Sequence, residues 1–198
     1  MNRLTRALAV VALTCVLVPG IARAAGPIVR GTTDLGLGGA VSFTHQIHHE
    51  ATESVTAYQL LAHAGYVATD PMGPGWLSGN LELLLEPQIL YLDGDKGRSA
   101  TVGGAAALAR WLFVGTGTVR PFVEGGVGLL GGKMEFRQTN CDVNYVIEGG
   151  PGVLVFVSDR VAVSAAYRFQ HISNAGGCSK NLGLNSSAVM VGVSYFFP

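Results

Sequence analysis

Residues 77–91 read LSGNLELLLEPQILY, with apolar side chains at alternate positions. The odd positions include Leu81, Leu83, Leu85, Ile89 and Tyr91, and the even positions include Ser78, Asn80, Glu82, Glu86 and Gln88. Side chains two residues apart lie on the same face of a β-strand. The segment therefore predicts a long strand with one apolar and one polar face.

The same alternation recurs along the chain and predicts eight strands. Their approximate bounds are residues 33–47, 55–68, 77–92, 99–114, 118–131, 142–157, 160–174 and 184–197. Each is long enough to cross a bilayer at a tilt, which takes about 9–11 residues. Hydrocarbon offers no water to unpaired backbone groups, and a closed barrel pairs them all. We therefore predict an all-β fold, an eight-stranded antiparallel transmembrane β-barrel in the cell outer membrane.

The composition excludes several other classes of protein. The 198 residues include 13 Lys and Arg against 13 Asp and Glu, and 48% are apolar. A nucleic-acid-binding protein would carry a clustered excess of basic residues, and a disordered chain would be less hydrophobic and more charged. No apolar run reaches the roughly 18–20 residues that a membrane-spanning helix requires.

The N-terminal segment, residues 1–25, has the features of a secretory signal peptide. Arg3 and Arg6 precede an apolar stretch at residues 7–18, and Ala22-Arg23-Ala24 has the small-x-small pattern of a cleavage site. We predict cleavage after Ala24 or Ala25. Residues 26–198 then form a single β-barrel domain.

The charged residues of the strands lie at even positions, on the more polar faces. They are Glu82, Glu86, Arg110, Arg120, Glu124, Glu148 and Arg168. In a membrane barrel these faces point into the lumen, where acids and bases can neutralise one another. An eight-stranded barrel is just wide enough for side chains to fill, so we expect no open pore.

Two cysteines remain after the signal peptide, Cys141 and Cys178. With both chain ends in the periplasm, the loops after the fifth and seventh strands lie together on the outer side. Export places the chain where disulfides form, so we predict a Cys141–Cys178 disulfide.

Histidines near the outer end of the first strand raise the question of a metal site. His45, His48 and His49 are followed by Glu50, but no set of ligands at a recognised spacing accompanies them. Solvated histidines at the rim of the barrel are the favoured interpretation. We predict no metal and no cofactor.

His171 and Ser173 are the residues best placed for chemistry. They are two apart on a predicted strand, so their side chains share one face, close enough for the imidazole to reach the serine oxygen. That face is the odd, lipid-facing one. Two interpretations stay open on spacing alone, a nucleophile with its base, or a strand that becomes polar as it leaves the bilayer.

Three segments resemble the lipid A 3-O-deacylases of Gram-negative outer membranes. They are HISNAG at residues 171–176, NLGLN at 181–185 and PFVEGGVG at 121–128. The resemblance implies an esterase that removes the acyl chain at the 3 position of lipid A. It further implies Ser173 as the nucleophile, His171 as the general base and Asn174 as an oxyanion-hole residue.

The chain departs from the family pattern at one position, where Asn185 replaces a glutamate that orients the histidine. Hairpin parity puts Asn185 on the outward face, roughly opposite His171. An amide oxygen can accept the imidazole N–H but carries no charge to stabilise the imidazolium. Another rim carboxylate, Glu50, Glu53 or Asp142, could take over this function.

The resemblance implies that the partners are outer-membrane lipids, and in particular the lipid A part of lipopolysaccharide. An alternative is a degenerate or non-enzymatic outer-membrane barrel with a structural or adhesion role. A soluble, exported lipid-carrying barrel is a third hypothesis. The sequence leaves open the acyl-chain length and whether the barrel is a monomer or a homodimer.

Overall fold

The computed structural model describes residues 26, 28–45, 53–115 and 117–198. The strands are β1 (Thr33–Thr44), β2 (Val55–Val67), β3 (Gly79–Gly94), β4 (Ser99–Phe113), β5 (Val119–Gly131), β6 (Val143–Phe156), β7 (Val161–Ser173) and β8 (Leu184–Phe197). Each pairs antiparallel with the next, and β8 pairs with β1, so the sheet closes into a barrel. The predicted fold class is confirmed, and the strand ends differ from the predicted ones by only a few residues.

Some of the sequence predictions fall outside the described residues. The signal peptide predicted at residues 1–25 does, as do His48, His49 and Glu50. A single turn of 3-10 helix, Gly75–Leu77, lies in the β2–β3 connection. In the described part of the chain, no helix has the length and apolar character needed to span a membrane.

The barrel is apolar outside and polar inside. On β3, Leu83, Leu85 and Ile89 are exposed, whereas Glu82 and Glu86 between them are buried. A water-soluble protein has the opposite arrangement, because exposed apolar surface in water is unfavourable. An outer surface of this kind requires hydrocarbon as its solvent, so the barrel spans a membrane.

Ion pairs fill the middle of the lumen, centred on Arg168. Arg168 Nη1 lies 2.6 Å from Glu86 Oε1 and 3.3 Å from Glu148 Oε2, and Nη2 lies 2.7 Å from Glu124 Oε1. Only 1% of the Arg168 side chain is exposed. One guanidinium therefore serves three carboxylates from three other strands.

A second arginine extends this network towards the other end of the lumen. Arg110 donates from Nη1 to Glu82 and from Nε to Glu124, each at 3.0 Å, and its guanidinium lies 4.5 Å from the centre of the Phe122 ring. Arg120, the remaining charge predicted to face inward, is half-buried near the start of β5. The network ties β3, β4, β5, β6 and β7 together through the interior.

Replacing Arg168 by leucine is expected to destabilise the barrel by about 3–5 kcal/mol, because it leaves the buried carboxylates of Glu86 and Glu148 without their cation, while Glu124 keeps Arg110. The measurement is a urea titration of the refolded barrel in detergent. The folded fraction at each urea concentration is read from the heat-dependent migration of the barrel on a gel. Arg160→Leu, at an exposed turn position, is the matched control and should leave the urea midpoint unchanged. Equal midpoints for Arg168→Leu and the native protein would contradict a stabilising role for the network.

The long loops identify the extracellular end of the barrel. The β1–β2, β5–β6 and β7–β8 connections lie at one end, with the tight β3–β4 turn. In bacterial outer-membrane barrels the longer loops are extracellular and the short turns periplasmic. The β2–β3 connection at the opposite end, residues 68–78, is long for a periplasmic turn. The β7–β8 loop, which follows the predicted catalytic segment, therefore lies on the outer side.

Candidate active site

Three polar side chains lie on the outward face of the β7–β8 hairpin. The register pairs His171 with Asn185, and Ser173 is the last residue of β7. All three are partly exposed, whereas Gln170 is buried in the lumen. The hairpin thus places an imidazole, a hydroxyl and a carboxamide on the lipid-facing side at the extracellular end.

A hydrogen bond fixes the histidine ring. His171 Nδ1 lies 2.7 Å from Asn185 Oδ1. An amide oxygen can only accept, so Nδ1 carries the hydrogen and Nε2 keeps its lone pair in the neutral ring. This is the tautomer that a general base requires, with Nε2 on the edge of the ring away from Asn185.

Ser173 lies two residues further along β7 on the same face. Strand residues two apart are separated by roughly 7 Å between Cα atoms, a span that an imidazole side chain covers in large part. Across the sheet Ser173 pairs with Tyr145 of β6. The side-chain hydrogen bond that the structure gives the His171 ring is the one to Asn185, and Ser173 lies beside the ring by register alone.

The Asn174 side chain points inward, unlike those of His171 and Ser173 in the same motif. Its side chain is buried, and Nδ2 donates to Lys180 O at 2.7 Å and to Thr139 Oγ1 at 3.1 Å. Its Oδ1 accepts the Gly176 N–H at 3.1 Å. Both amide hydrogens are therefore committed inside the loop. The alternation of the strand contains this signal, because an even-numbered residue after β7 continues on the inward face.

The β5–β6 loop packs against the β7–β8 loop and is linked to it by a disulfide and backbone hydrogen bonds. Cys141 and Cys178 form a disulfide with a Cα–Cα distance of 5.8 Å. Leu182 N–H donates to Gln138 O at 2.9 Å, and Thr139 forms a β-bridge with Asn181. These contacts fix the path of the chain between Ser173 and Asn185.

Asn181 also contacts the motif directly, since its Oδ1 accepts the Asn174 N–H at 2.9 Å. Sequence reasoning assigned no role to Thr139 or Asn181. Their pairing depends on the paths of two loops about 40 residues apart, for which the sequence has no periodic signal.

Among the described residues, the side-chain hydrogen bond of His171 is with Asn185, and none is with the other rim candidates. Glu53 is buried, and its Oε2 accepts from Arg98 Nη1 at 2.7 Å. Asp142 is exposed, and its backbone oxygen accepts the Gly132 N–H. His45 donates its backbone N–H to Asn185 O at 2.9 Å. Across the described ranges, no group of three or more His, Cys, Asp and Glu side chains is arranged to hold a metal ion.

The fold and the site together define a class, a membrane-spanning β-barrel with a histidine-centred polar group on its outer surface. The family model of lipid A 3-O-deacylase (PagL) matches residues 41–194, and the chain belongs to this family. It is accordingly a protein of the outer membrane. No curated protein matches the chain in sequence.

Solved outer-membrane barrels have the same fold. The outer membrane enzyme PagL superposes with a TM-score of 0.63 at 21% identity, over 79% of this chain and 97% of that one. Neisserial surface protein A gives 0.59 at 17% identity, over 85% and 100%. The N-terminal barrel domain of Pseudomonas aeruginosa OprF gives 0.54 at 15%, over 85% and 98%. At these identities the likeness establishes the barrel fold alone.

Proposed function

We propose that this protein is a serine esterase that hydrolyses the 3-O-linked acyl chain of lipid A. The observation that carries the proposal is the hydrogen bond between His171 Nδ1 and Asn185 Oδ1, on the same outward face as Ser173. It leaves Nε2 as the proton acceptor, which is the arrangement that activates a serine hydroxyl. Family membership supplies the substrate class.

The position of the group suits a lipid substrate. His171 and Ser173 lie where the outward face of β7 changes from apolar residues, such as Tyr167 and Phe169, to the extracellular loop. A glycolipid of the outer leaflet has its ester groups at this depth and its acyl chains along the apolar strand surface. The ester can therefore reach Ser173 without leaving the membrane, and the reaction needs no pocket inside the barrel.

The chemistry proceeds in two steps. Ser173 Oγ attacks the ester carbonyl carbon while His171 Nε2 takes the hydroxyl proton. Collapse of the tetrahedral intermediate breaks the bond to the sugar oxygen, which receives that proton from His171. Water, deprotonated by the same nitrogen, then cleaves the acyl-serine, releasing the fatty acid and restoring Ser173.

The role of Asn174 in this proposal is to hold the loop that follows the nucleophile. Its side-chain amide is bound to Thr139 and Lys180, and the backbone N–H groups of Asn174 and Gly176 are bound to Asn181 and Asn174, so in this proposal stabilisation of the oxyanion falls to the Ala175 N–H. Ala175, the next residue, has a φ of 51°, which turns the chain sharply at this point. Backbone donors held in a fixed turn stabilise developing negative charge effectively.

The direct test is the mass spectrum of lipid A. Expression of the protein in a Gram-negative host with a 3-O-acylated lipid A should produce a species lighter by one 3-hydroxyacyl chain, together with the free fatty acid. Cells that express a barrel with the β7–β8 hairpin of an unrelated outer-membrane protein are the control. A folded barrel in the membrane with an unchanged lipid A spectrum would overturn the proposal.

The second candidate is a non-enzymatic barrel with a structural or adhesion role. Asn185 favours it, because a neutral amide gives less support to an imidazolium than a carboxylate does. The two candidates differ in one outcome, since only the esterase releases fatty acid from lipid A.

A further inference from the structure

Gly183, the residue before β8, contacts the His171 ring. A Cβ atom built on Gly183 would lie 2.5 Å from His171 Cε1 and 3.3 Å from each of the two ring nitrogens. Cε1 is the ring atom between Nδ1 and Nε2. Gly183 therefore lies against the ring edge between the two nitrogens, and any residue with a Cβ at this position requires the ring to shift.

The backbone of Gly183 is shaped for this approach. Its φ is +74°, in the left-handed region that glycine adopts without cost, and the residue is buried. The preceding Leu182 is bound to the β5–β6 loop through its N–H. The chain consequently has little freedom to move Gly183 away from the ring.

We infer that Gly183 is a positioning residue for His171, and this inference rests on the proposed esterase function. Asn185 holds Nδ1 by its hydrogen bond, and the absence of a side chain at Gly183 leaves the space that the Cε1 edge of the ring occupies. Together they hold the ring with Nδ1 on Asn185 and leave Nε2 free to accept a proton. A Cβ at position 183 would displace the ring and break the bond to Asn185 Oδ1.

The test compares Gly183→Ala and Gly183→Asn with Gly97→Ala. Gly97, in the β3–β4 turn, has the same φ of +74° but no atom within 4 Å of a built Cβ. The Gly97 variant therefore introduces the backbone strain without the contact. Asparagine tolerates left-handed φ better than alanine does, but it still carries a Cβ. A pure strain effect would be relieved in Gly183→Asn, and a contact effect would persist.

Both Gly183 variants are expected to lower kcat for fatty-acid release about 10- to 100-fold with KM within about twofold, since misplacing a catalytic group by about 1 Å costs up to 10²-fold. Gly97→Ala should keep the native kcat. Native-like rates in Gly183→Ala, or recovery in Gly183→Asn, would overturn the inference.

A second measurement does not depend on activity. In barrels labelled with ¹⁵N-histidine, the Nδ1–H signal of His171, assigned by its loss in His171→Asn, reports the bond to Asn185. It should persist in the native protein and Gly97→Ala and disappear or shift in both Gly183 variants. An inactive native protein with this pattern would refute the proposed function while supporting the positioning role, and an unchanged signal in the Gly183 variants would refute that role.

Discussion

Ser173→Ala is expected to reduce release of the 3-O-linked acyl chain to the background rate, a loss of at least about 10²-fold. Removing the nucleophile from a serine protease triad lowers turnover by about 10⁶-fold, and exchanging the triad aspartate for asparagine lowers it by about 10⁴-fold. Asn185 already stands where such a triad has its acidic residue, so the loss of about 10⁴-fold is already present in the native protein. Removing the Ser173 hydroxyl is expected to cost the remaining factor of about 10². The measurement is free 3-hydroxy fatty acid produced from purified lipid A by the barrel in detergent.

The structure offers a matched serine for this experiment. Ser99, at the start of β4, is exposed at the same extracellular end but three strands from β7. Ser99→Ala should release fatty acid at the native rate. Both variants should show the heat-dependent gel migration of a folded barrel, because neither hydroxyl is buried. Hydrolysis that survives in Ser173→Ala would exclude this residue as the nucleophile.

The strands and their faces follow from the sequence because lipid and lumen impose opposite demands on neighbouring residues. Along β3, Leu83 and Leu85 face lipid, whereas Glu82 and Glu86 point into the lumen and form ion pairs there. That contrast makes the period of two unusually clear in an outer-membrane barrel. The same parity predicts that Asn185 shares the outward face of His171, and the register of β7 and β8 pairs the two residues.

Parity also places the even-numbered Asn174 inward, but it does not predict that the amide of this residue is bound to Thr139 and Lys180. The contact of Gly183 with His171 depends on the path of a loop that the β5–β6 loop holds in place. Alternation describes strands, and it carries no information about how two loops distant in sequence dock.

Asn185→Glu is expected to raise kcat for fatty-acid release by about 10²-fold or more, with an upper bound of about 10⁴-fold. A glutamate oxygen can accept the His171 Nδ1–H as Asn185 Oδ1 now does at 2.7 Å. It adds a negative charge beside the imidazolium that forms when Nε2 takes the serine proton. In a partly lipid-covered site of low dielectric, that charge stabilises the transition state more than it would in water.

The site has room for this change without disturbing the lumen. Asn185 is partly exposed on the outward face, and its backbone oxygen, bound by His45 N–H, is unaffected by the side chain. Asn185→Gln is the matched control, because it has the length of glutamate but no charge. It should not exceed the native rate. An equal gain in Asn185→Gln would show that side-chain length, and not the carboxylate charge, limits the native protein.

The double variant Asn185→Glu/Ser173→Ala determines whether the gain acts through the proposed mechanism. A carboxylate that assists His171 can accelerate the reaction only when His171 has a hydroxyl to activate, so the double variant should be as slow as Ser173→Ala alone. Such non-additivity is expected of residues that work as one unit. A gain that persists without the Ser173 hydroxyl would instead mean that His171 activates water directly, and the acyl-serine intermediate would then be excluded.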